Sequence, residues 1–243
     1  MGRRKKYVRD SFWNYFINTS RGEYGGTPTI DFEYDKMEYT YKKRTYNAYY
    51  KVLYNEQRGV IQVYFKETTD KTGWRANFDF ASKYYDSFQY EGKDIQLRTA
   101  TGWGQMYNSM KWYIRNSVKE LVDKYPKAEI EIIGWSLGSA IAQLCAQDLY
   151  FNYGVKGHVF TYGSVKPWYG GNKNMKAYLA DCYKECYNFG DNNDVVAYLV
   201  PFPKYFKLRK VTVKQDKFSI FKLFKPNKYH TEYWKEFLYD NIE

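Results

Sequence analysis

A serine between two glycines is the part of this sequence best suited to covalent chemistry. Gly134, Ser136 and Gly138 form a G-x-S-x-G pattern between an apolar stretch and a helical one. In a sharp strand-to-helix turn the serine hydroxyl stands clear of the sheet, and the glycines let chain segments pass where a Cβ would clash. The helix dipole would then favour a developing negative charge. The pattern predicts a nucleophilic serine, and the alternative is a glycine-rich turn with a helix-capping serine.

A serine nucleophile needs a general base, and the chain contains only two histidines. His158 begins an apolar stretch, and we interpret it as structural. His230 follows a polar loop near the C-terminus, which fits the chain order nucleophile, acid, base, so we predict it as the base. The acid must then lie between serine and base, after a strand. The residues alone leave Asp191 and Asp194 equally qualified, since either is also an ordinary turn residue.

The hydrophobic pattern predicts the elements that must position these residues. Strands are predicted over residues 59–65, 128–133, 159–163 and 186–189, and helices over 107–124 and 136–150. Alternating strands and helices are typical of a parallel sheet with helices on its faces. We therefore predict an α/β fold in a single domain, residues 1–243, of which 1–57 form a basic, Tyr-rich N-terminal extension.

The composition restricts the kinds of partner that this protein could bind, but it does not indicate a function. The net charge of +11 favours anionic partners, and the 29 tyrosines are best explained by a Tyr-rich core and surface. The basic N-terminus lacks the apolar segment of a signal peptide, and no apolar run is long enough to span a membrane. The three cysteines fit neither a disulfide framework nor a zinc site. We expect a soluble, cytoplasmic protein with reduced thiols and no metal or cofactor.

A series of motifs in one order resembles the class 3 lipase family, over roughly residues 58 to 235. Residues 133–140 resemble its G-H-S-L-G-G-A turn, and 229–234 its H-x-x-E-Y-W ending. The remaining motifs lie at residues 63–68 (F-R-G-T/S), 74–77 (D-W-x-x-N), 102–103 (G-F), 161–164 (T-F-G-x) and 193–196 (N-D-I-V). Several motifs in the same order are far more specific than any one of them.

The resemblance implies an α/β-hydrolase fold, with a central, mostly parallel sheet and helices on both faces. It implies Ser136 as the nucleophile, His230 as the base and Asp194, rather than the earlier aspartate, as the orienting acid. It further implies oxyanion-hole donors at Leu137 and Thr68. The corresponding function is a serine hydrolase that cleaves carboxylic esters, lipid or phospholipid acyl esters among them, through an acyl-enzyme.

The chain departs from the family pattern beside the predicted site. Lys66 and Glu67 replace an Arg-Gly pair, Trp135 replaces a histidine, Ser139 replaces the second glycine, and residues 165–166 replace Pro-Arg. None of these changes removes a triad residue. They keep open an alternative function, a catalytically weak or inactive hydrolase-fold module that binds anionic membrane or nucleic acid.

Two further segments bear on the substrate and on partners. Residues 69–80 are short, polar and then aromatic, which favours an esterase without strong interfacial activation. Residues 204–228 contain nine basic residues and one acidic residue, interleaved with aromatic ones. Such a segment could dock on an anionic lipid surface, and a solvated hairpin is the alternative. Nucleic acid is not expected as a partner, and the oligomeric state stays open.

Overall fold

The computed structural model describes residues 33–66, 82–190, 194, 205–206, 210–212 and 230. These residues form eleven strands and three helices. The strands are β1 (Asp35–Tyr41), β2 (Arg44–Asn55), β3 (Val60–Phe65), β4 (Ser82–Tyr90), β5 (Lys93–Ala100), β6 (Glu129–Trp135), β7 (Gly157–Tyr162), β8 (Trp168–Tyr169), β9 (Tyr183–Gly190), β10 (Tyr205–Phe206) and β11 (Lys210–Thr212). The helices are α1 (Thr101–Lys124), α2 (Leu137–Tyr153) and α3 (Lys173–Asp181).

A mostly parallel sheet of seven strands forms the centre of the protein. Its strand order is β1-β2-β3-β6-β7-β9-β11, and every pairing from β3 onwards is parallel. Strands β1 and β2 pair in antiparallel fashion and extend one edge. All residues of β3 and β7 are buried, as expected for parallel strands covered on both faces. The predicted central, mostly parallel sheet is confirmed.

The three helices pack on one face of this sheet. Helices α1 and α2 are joined by a buried contact, in which the Tyr107 hydroxyl donates to the Asp148 carboxylate at 2.7 Å. Helix α3 joins the same layer, because the Gln147 amide donates to the Tyr178 hydroxyl at 3.0 Å. The helices of the described residues belong to this layer, and the prediction of helices on the other face concerns residues outside the described ones. Of the described helices, none has the length and apolarity that a membrane crossing requires.

The N-terminal part of the chain contributes more regular structure than its composition indicated. In β1 and β2 alternate tyrosines point into the core, among them Tyr39, Tyr46 and Tyr50, so the described part of the Tyr-rich segment forms two strands of the sheet. Tyrosine has high strand propensity, but its hydroxyl hides the apolar alternation in a polarity scale. Within the predicted N-terminal extension, residues 35–41 and 44–55 are therefore regular strands of the central sheet.

Helix α1 begins six residues before its predicted start, at Thr101 instead of residue 107. Gly102 and Gly104 are weak helix formers, which concealed this first turn, although both are buried there. A smaller sheet, of strand order β10-β8-β5-β4, was not predicted. Its strands β4 and β5 come before helix α1 in the chain, and β8 and β10 come after it. Its β4–β5 hairpin turns at Glu91 and Gly92, both with positive φ, as a two-residue type I′ turn requires.

Candidate active site

Ser136 occupies a strained turn between β6 and α2. Its φ of 51° and ψ of −119° lie in a region that side-chain-bearing residues rarely adopt. Two backbone hydrogen bonds hold this conformation: the Ser136 N–H donates to the Tyr162 carbonyl at 2.9 Å, and the Ser139 N–H donates to the Ser136 carbonyl at 3.0 Å. The first bond fixes the turn to the carboxyl end of β7. Strain of this kind at a strand-to-helix turn is typical of a nucleophile elbow.

The two flanking glycines are required by close backbone contacts. A Cβ on Gly134 would lie 2.1 Å from the Gly138 carbonyl oxygen, and a Cβ on Gly138 would lie 2.5 Å from the Phe65 carbonyl oxygen. Neither backbone atom can move away without opening the turn. The glycines therefore act as the sequence pattern indicates, by letting β6, α2 and the end of β3 approach one another.

The N-terminus of α2 presents the first predicted oxyanion donor. Leu137 is the first residue of this helix, so its N–H has no carbonyl within the helix to which it could donate a hydrogen bond. The contact between Phe65 and Gly138 brings the chain leaving β3 beside this helix end. Thr68, the second predicted donor, follows three residues later and lies outside the described residues.

Lys66 replaces the arginine of the family pattern at the end of β3. Its ammonium lies over two aromatic rings, 5.5 Å from the centroid of Tyr34 and 5.3 Å from that of Tyr49. Its N–H also donates to the Tyr49 carbonyl at 3.2 Å. Cation–π contacts of this kind hold the charge towards β1 and β2. Glu67 lies outside the described residues.

His230 and Asp194 meet at the same end of the sheet. The His230 Nδ1 lies 2.9 Å from Asp194 Oδ2, and the Asp194 side chain is 0% exposed. The imidazole also lies against Gly163, where a Cβ would be 2.7 Å from His230 Cε1 and 2.9 Å from Nδ1. Gly163 directly follows Tyr162, the residue whose carbonyl accepts the Ser136 N–H. The serine turn and the histidine–aspartate pair thus converge on the carboxyl end of β7, while Asp191 lies outside the described residues.

His158 lies at the opposite end of β7 and away from this site. Its Nε2 is 3.4 Å from a Glu129 carboxylate oxygen, and its Nδ1 is 3.4 Å from a Glu185 oxygen. Burial lowers the pKa of His158, against the opposing effect of Glu129. The neutral form is therefore favoured, and the residue takes no part in the candidate site.

Ser139 supports the serine turn in a way that the sequence reading did not foresee. Its hydroxyl donates to the Ser136 carbonyl at 2.5 Å and accepts from the Val165 N–H at 3.2 Å. It thereby joins the first turn of α2 to the chain after β7, which a glycine at this position could not do. The sequence signal for this role was the serine at position 139, where the family pattern has its second glycine.

A buried polar cluster lies next to this contact and was also missed. The Asn188 side-chain oxygen accepts hydrogen bonds from three side chains on neighbouring elements, so that β9, β7 and α2 are tied together behind the site. The donors are Gln143 at 3.0 Å, Thr161 at 2.6 Å and Ser164 at 2.9 Å.

Among the described residues no group of three or more His, Cys, Asp or Glu side chains is placed to hold a metal ion.

The fold and this arrangement are those of an α/β hydrolase. The model of the family described as lipase (class 3) matches residues 62–204. The chain belongs to the class 3 lipase family, a family of ester hydrolases. A sequence search of curated proteins found no significant match.

Solved structures of fungal lipases have the same fold at low sequence identity. A fungal lipase–inhibitor complex aligns with a TM-score of 0.65 and 19% identity, over 83% of this chain and 77% of that one. A triacylglycerol lipase with a catalytic centre described as a serine protease triad has a TM-score of 0.65 at 16% identity, covering 88% and 82%. The lipase of Rhizopus microsporus var. chinensis has a TM-score of 0.61 at 18% identity, covering 86% and 75%.

Proposed function

We propose that this protein is a serine hydrolase that cleaves acyl esters of lipids, with Ser136 as nucleophile, His230 as base and Asp194 as orienting acid. The observation that carries the proposal is the 2.9 Å contact between His230 Nδ1 and Asp194 Oδ2, at the end of β7 to which the serine turn is bonded. Membership of a lipase family supports the same reaction class.

The first half of the reaction follows from the tautomer that Asp194 selects. Because the carboxylate accepts from Nδ1–H, Nε2 of His230 carries the lone pair that removes the Ser136 proton. The serine oxygen attacks the ester carbonyl, and a tetrahedral oxyanion forms. When this intermediate collapses, the proton on Nε2 passes to the departing alcohol, and the acyl group remains on Ser136.

In the second half of the reaction a water molecule replaces the alcohol. His230 removes a proton from this water, the hydroxide attacks the acyl-enzyme, and the carboxylic acid leaves as Ser136 regains its proton. Throughout, Asp194 holds the ring orientation and stabilises the imidazolium. The Leu137 and Thr68 amides would stabilise both oxyanions, and the loss of one such donor costs on the order of 10²–10³ in turnover. The chemistry uses no metal or cofactor.

An anionic lipid surface is the partner that the charge of the chain favours. The basic segment 204–228 includes β11, which runs parallel to β9 with Lys210 opposite Asn188 and Thr212 opposite Gly190. This pairing lies at the carboxyl end of β9, four residues before Asp194. We propose that the segment docks beside the site. Equal binding to vesicles of phosphatidylglycerol and of phosphatidylcholine would contradict docking, and several-fold tighter binding to the former would support it.

The hydrolysis assay compares p-nitrophenyl esters of short and long acyl chains with triacylglycerol and phospholipid. The wild-type protein should hydrolyse some of them, and Ser136→Ala should lose at least about 10⁴-fold in kcat/KM. Ser109→Ala is the matched control, because this serine lies on α1 with its hydroxyl bonded to the Met106 carbonyl. Hydrolysis that survives in Ser136→Ala would reject the proposed nucleophile, and the absence of any hydrolysis by the wild type would favour the inactive module.

A further inference from the structure

Trp135 is a large side chain immediately before the nucleophile, at a position where the family pattern has histidine. It ends β6, and only 7% of its surface is exposed. In the parallel register it lies opposite Tyr162, and the two rings are tilted at 46° with centroids 6.5 Å apart. The indole is therefore packed at the same end of the sheet as the candidate site.

The indole and the His230 imidazole border a common space above Gly163. A Cβ placed on this glycine would be 3.4 Å from Trp135 Nε1, and 2.7 Å and 2.9 Å from Cε1 and Nδ1 of the histidine. These distances put the indole N–H within about 6 Å of the Nδ1–Cε1 edge of the imidazole. Nδ1 on that edge is the atom that pairs with Asp194.

The hydrogen bond at this edge depends on the exclusion of water. Asp194 is 0% exposed and the His230 side chain 14% exposed, so the pair is largely shielded. A carboxylate–imidazole hydrogen bond is stronger in a low local dielectric, and water that reaches it competes for both partners. A bulky aromatic ring in the space above Gly163 excludes such water from this side of the imidazole, whereas a smaller side chain would admit it.

We propose that Trp135 is a positioning residue that closes the Nδ1 side of His230 to water and so preserves its hydrogen bond with Asp194. The inference rests on the proposed roles of this histidine and aspartate. Trp135 touches neither substrate nor reacting atoms in this account. It acts through the orientation and the basicity of the imidazole, and it gives the departure from the family's histidine a function.

The Nδ1 proton of His230 reports directly on this shielding. With only two histidines in the chain, the ring N–H signals in ¹H–¹⁵N NMR are assigned by comparison with His158→Gln. At neutral pH the wild-type protein should show a slowly exchanging Nδ1–H. Trp135→Phe should keep it, and Trp135→Ala should raise its exchange rate at least tenfold. Trp112→Ala, which removes a tryptophan that is 64% exposed on α1, should change nothing.

A second variant and a second readout keep the test decisive if the alanine variant does not fold. Trp135→Leu is apolar but smaller, and it should give an intermediate exchange rate. The pH profile of kcat/KM should move with the exchange rate: a weaker pairing with Asp194 lowers the pKa of the imidazole, so the acid limb shifts to lower pH as kcat falls. The phenylalanine variant should restore the wild-type profile.

The outcomes separate this inference from the proposed function. An unchanged exchange rate and pH profile in folded Trp135→Ala or Trp135→Leu would overturn the role of Trp135 and leave the triad standing. A wild-type protein that hydrolyses no ester would overturn the proposed function, while faster exchange in these two variants would still support shielding by the indole.

Discussion

The two ends of strand β7 each carry a histidine paired with carboxylates, and they differ in almost every other respect. At the carboxyl end, His230 faces one fully buried carboxylate at 2.9 Å. At the amino end, His158 lies between two carboxylates at 3.4 Å each, belonging to Glu129 and Glu185, which are 43% and 39% exposed. One pairing is short and directional, and the other is long and partly solvated.

The residues around each histidine explain why the two histidine–carboxylate pairs have different roles. Beside His230 stands Gly163, whose missing Cβ leaves room for the ring, and the carbonyl of the preceding residue accepts a hydrogen bond from Ser136, which has positive φ. Beside His158 stands Glu131, whose carboxylate accepts hydrogen bonds from Nη1 and Nη2 of the Arg58 guanidinium at 2.7 Å and 2.6 Å. Backbone strain and a buried histidine–carboxylate pair characterise the first end, and satisfied guanidinium–carboxylate pairing characterises the second. We infer that the carboxyl end carries the chemistry and the amino end contributes stability.

The largest expected effect is that of Asp194→Asn. An amide favours the wrong tautomer of His230, and a change of this type lowers kcat by about 10⁴ in a serine triad. Glu185→Gln makes the same chemical change beside His158 and should leave ester hydrolysis within about twofold, because exposed pairs contribute little. Steady-state kinetics on one ester measure both. Equal losses in the two variants would contradict the division between the two ends.

A large effect on stability is expected from Glu131→Gln. The glutamine amide would place its own N–H groups against the Arg58 and Gln62 donors and leave a mostly buried guanidinium without its counter-charge. We expect a loss of about 3 kcal/mol in the free energy of unfolding, since Arg58 is 19% exposed and regains some hydration. Urea denaturation measures it. Glu129→Gln, a partly exposed glutamate on the same strand, should cost less than about 1 kcal/mol.

The approach of His230 to β7 predicts the effect of Gly163→Ala. The new Cβ would lie 2.7 Å from His230 Cε1, so the ring must shift, and a displacement of about 1 Å costs on the order of 10² in rate. Gly154→Ala is the matched control. Its φ of 66° resembles the 55° of Gly163, but nothing lies within 4 Å of its Cβ. Both variants should lose similar stability, and only the first should lose activity in a kcat measurement.

The smallest effect concerns the pH dependence of stability. Burial lowers the folded-state pKa of His158 from 6.5, while Glu129, Glu185 and Glu131 oppose the shift and Lys184 adds to it. A lowered histidine pKa means that the stability present above the unfolded value of about 6.5 is lost as pH falls from there towards the folded-state pKa. His158→Gln should therefore show a shallower fall in unfolding free energy between about pH 7.5 and 5.5. An identical slope in both proteins would contradict this.

The residues of the candidate site at the carboxyl end of β7 were largely predictable from sequence, whereas the contacts that support them were not. The G-x-S-x-G turn, its strand and its helix follow from glycine spacing and apolar periodicity, which are local signals. The space that Gly163 leaves for His230 joins residues far apart in the chain, and no local pattern encodes it. Tyrosine-rich β1 and β2 were obscured because each hydroxyl lowers the apparent hydropathy of a buried ring.

The most direct test of the account is the site at which a fluorophosphonate reacts. Such a probe phosphonylates a serine only where a base and an oxyanion hole activate it. Peptide mass spectrometry of the wild-type protein should find one adduct, on Ser136, which is lost in His230→Gln and retained in His158→Gln. No adduct, an adduct on another serine, or a loss of labelling that follows His158 instead of His230 would contradict it.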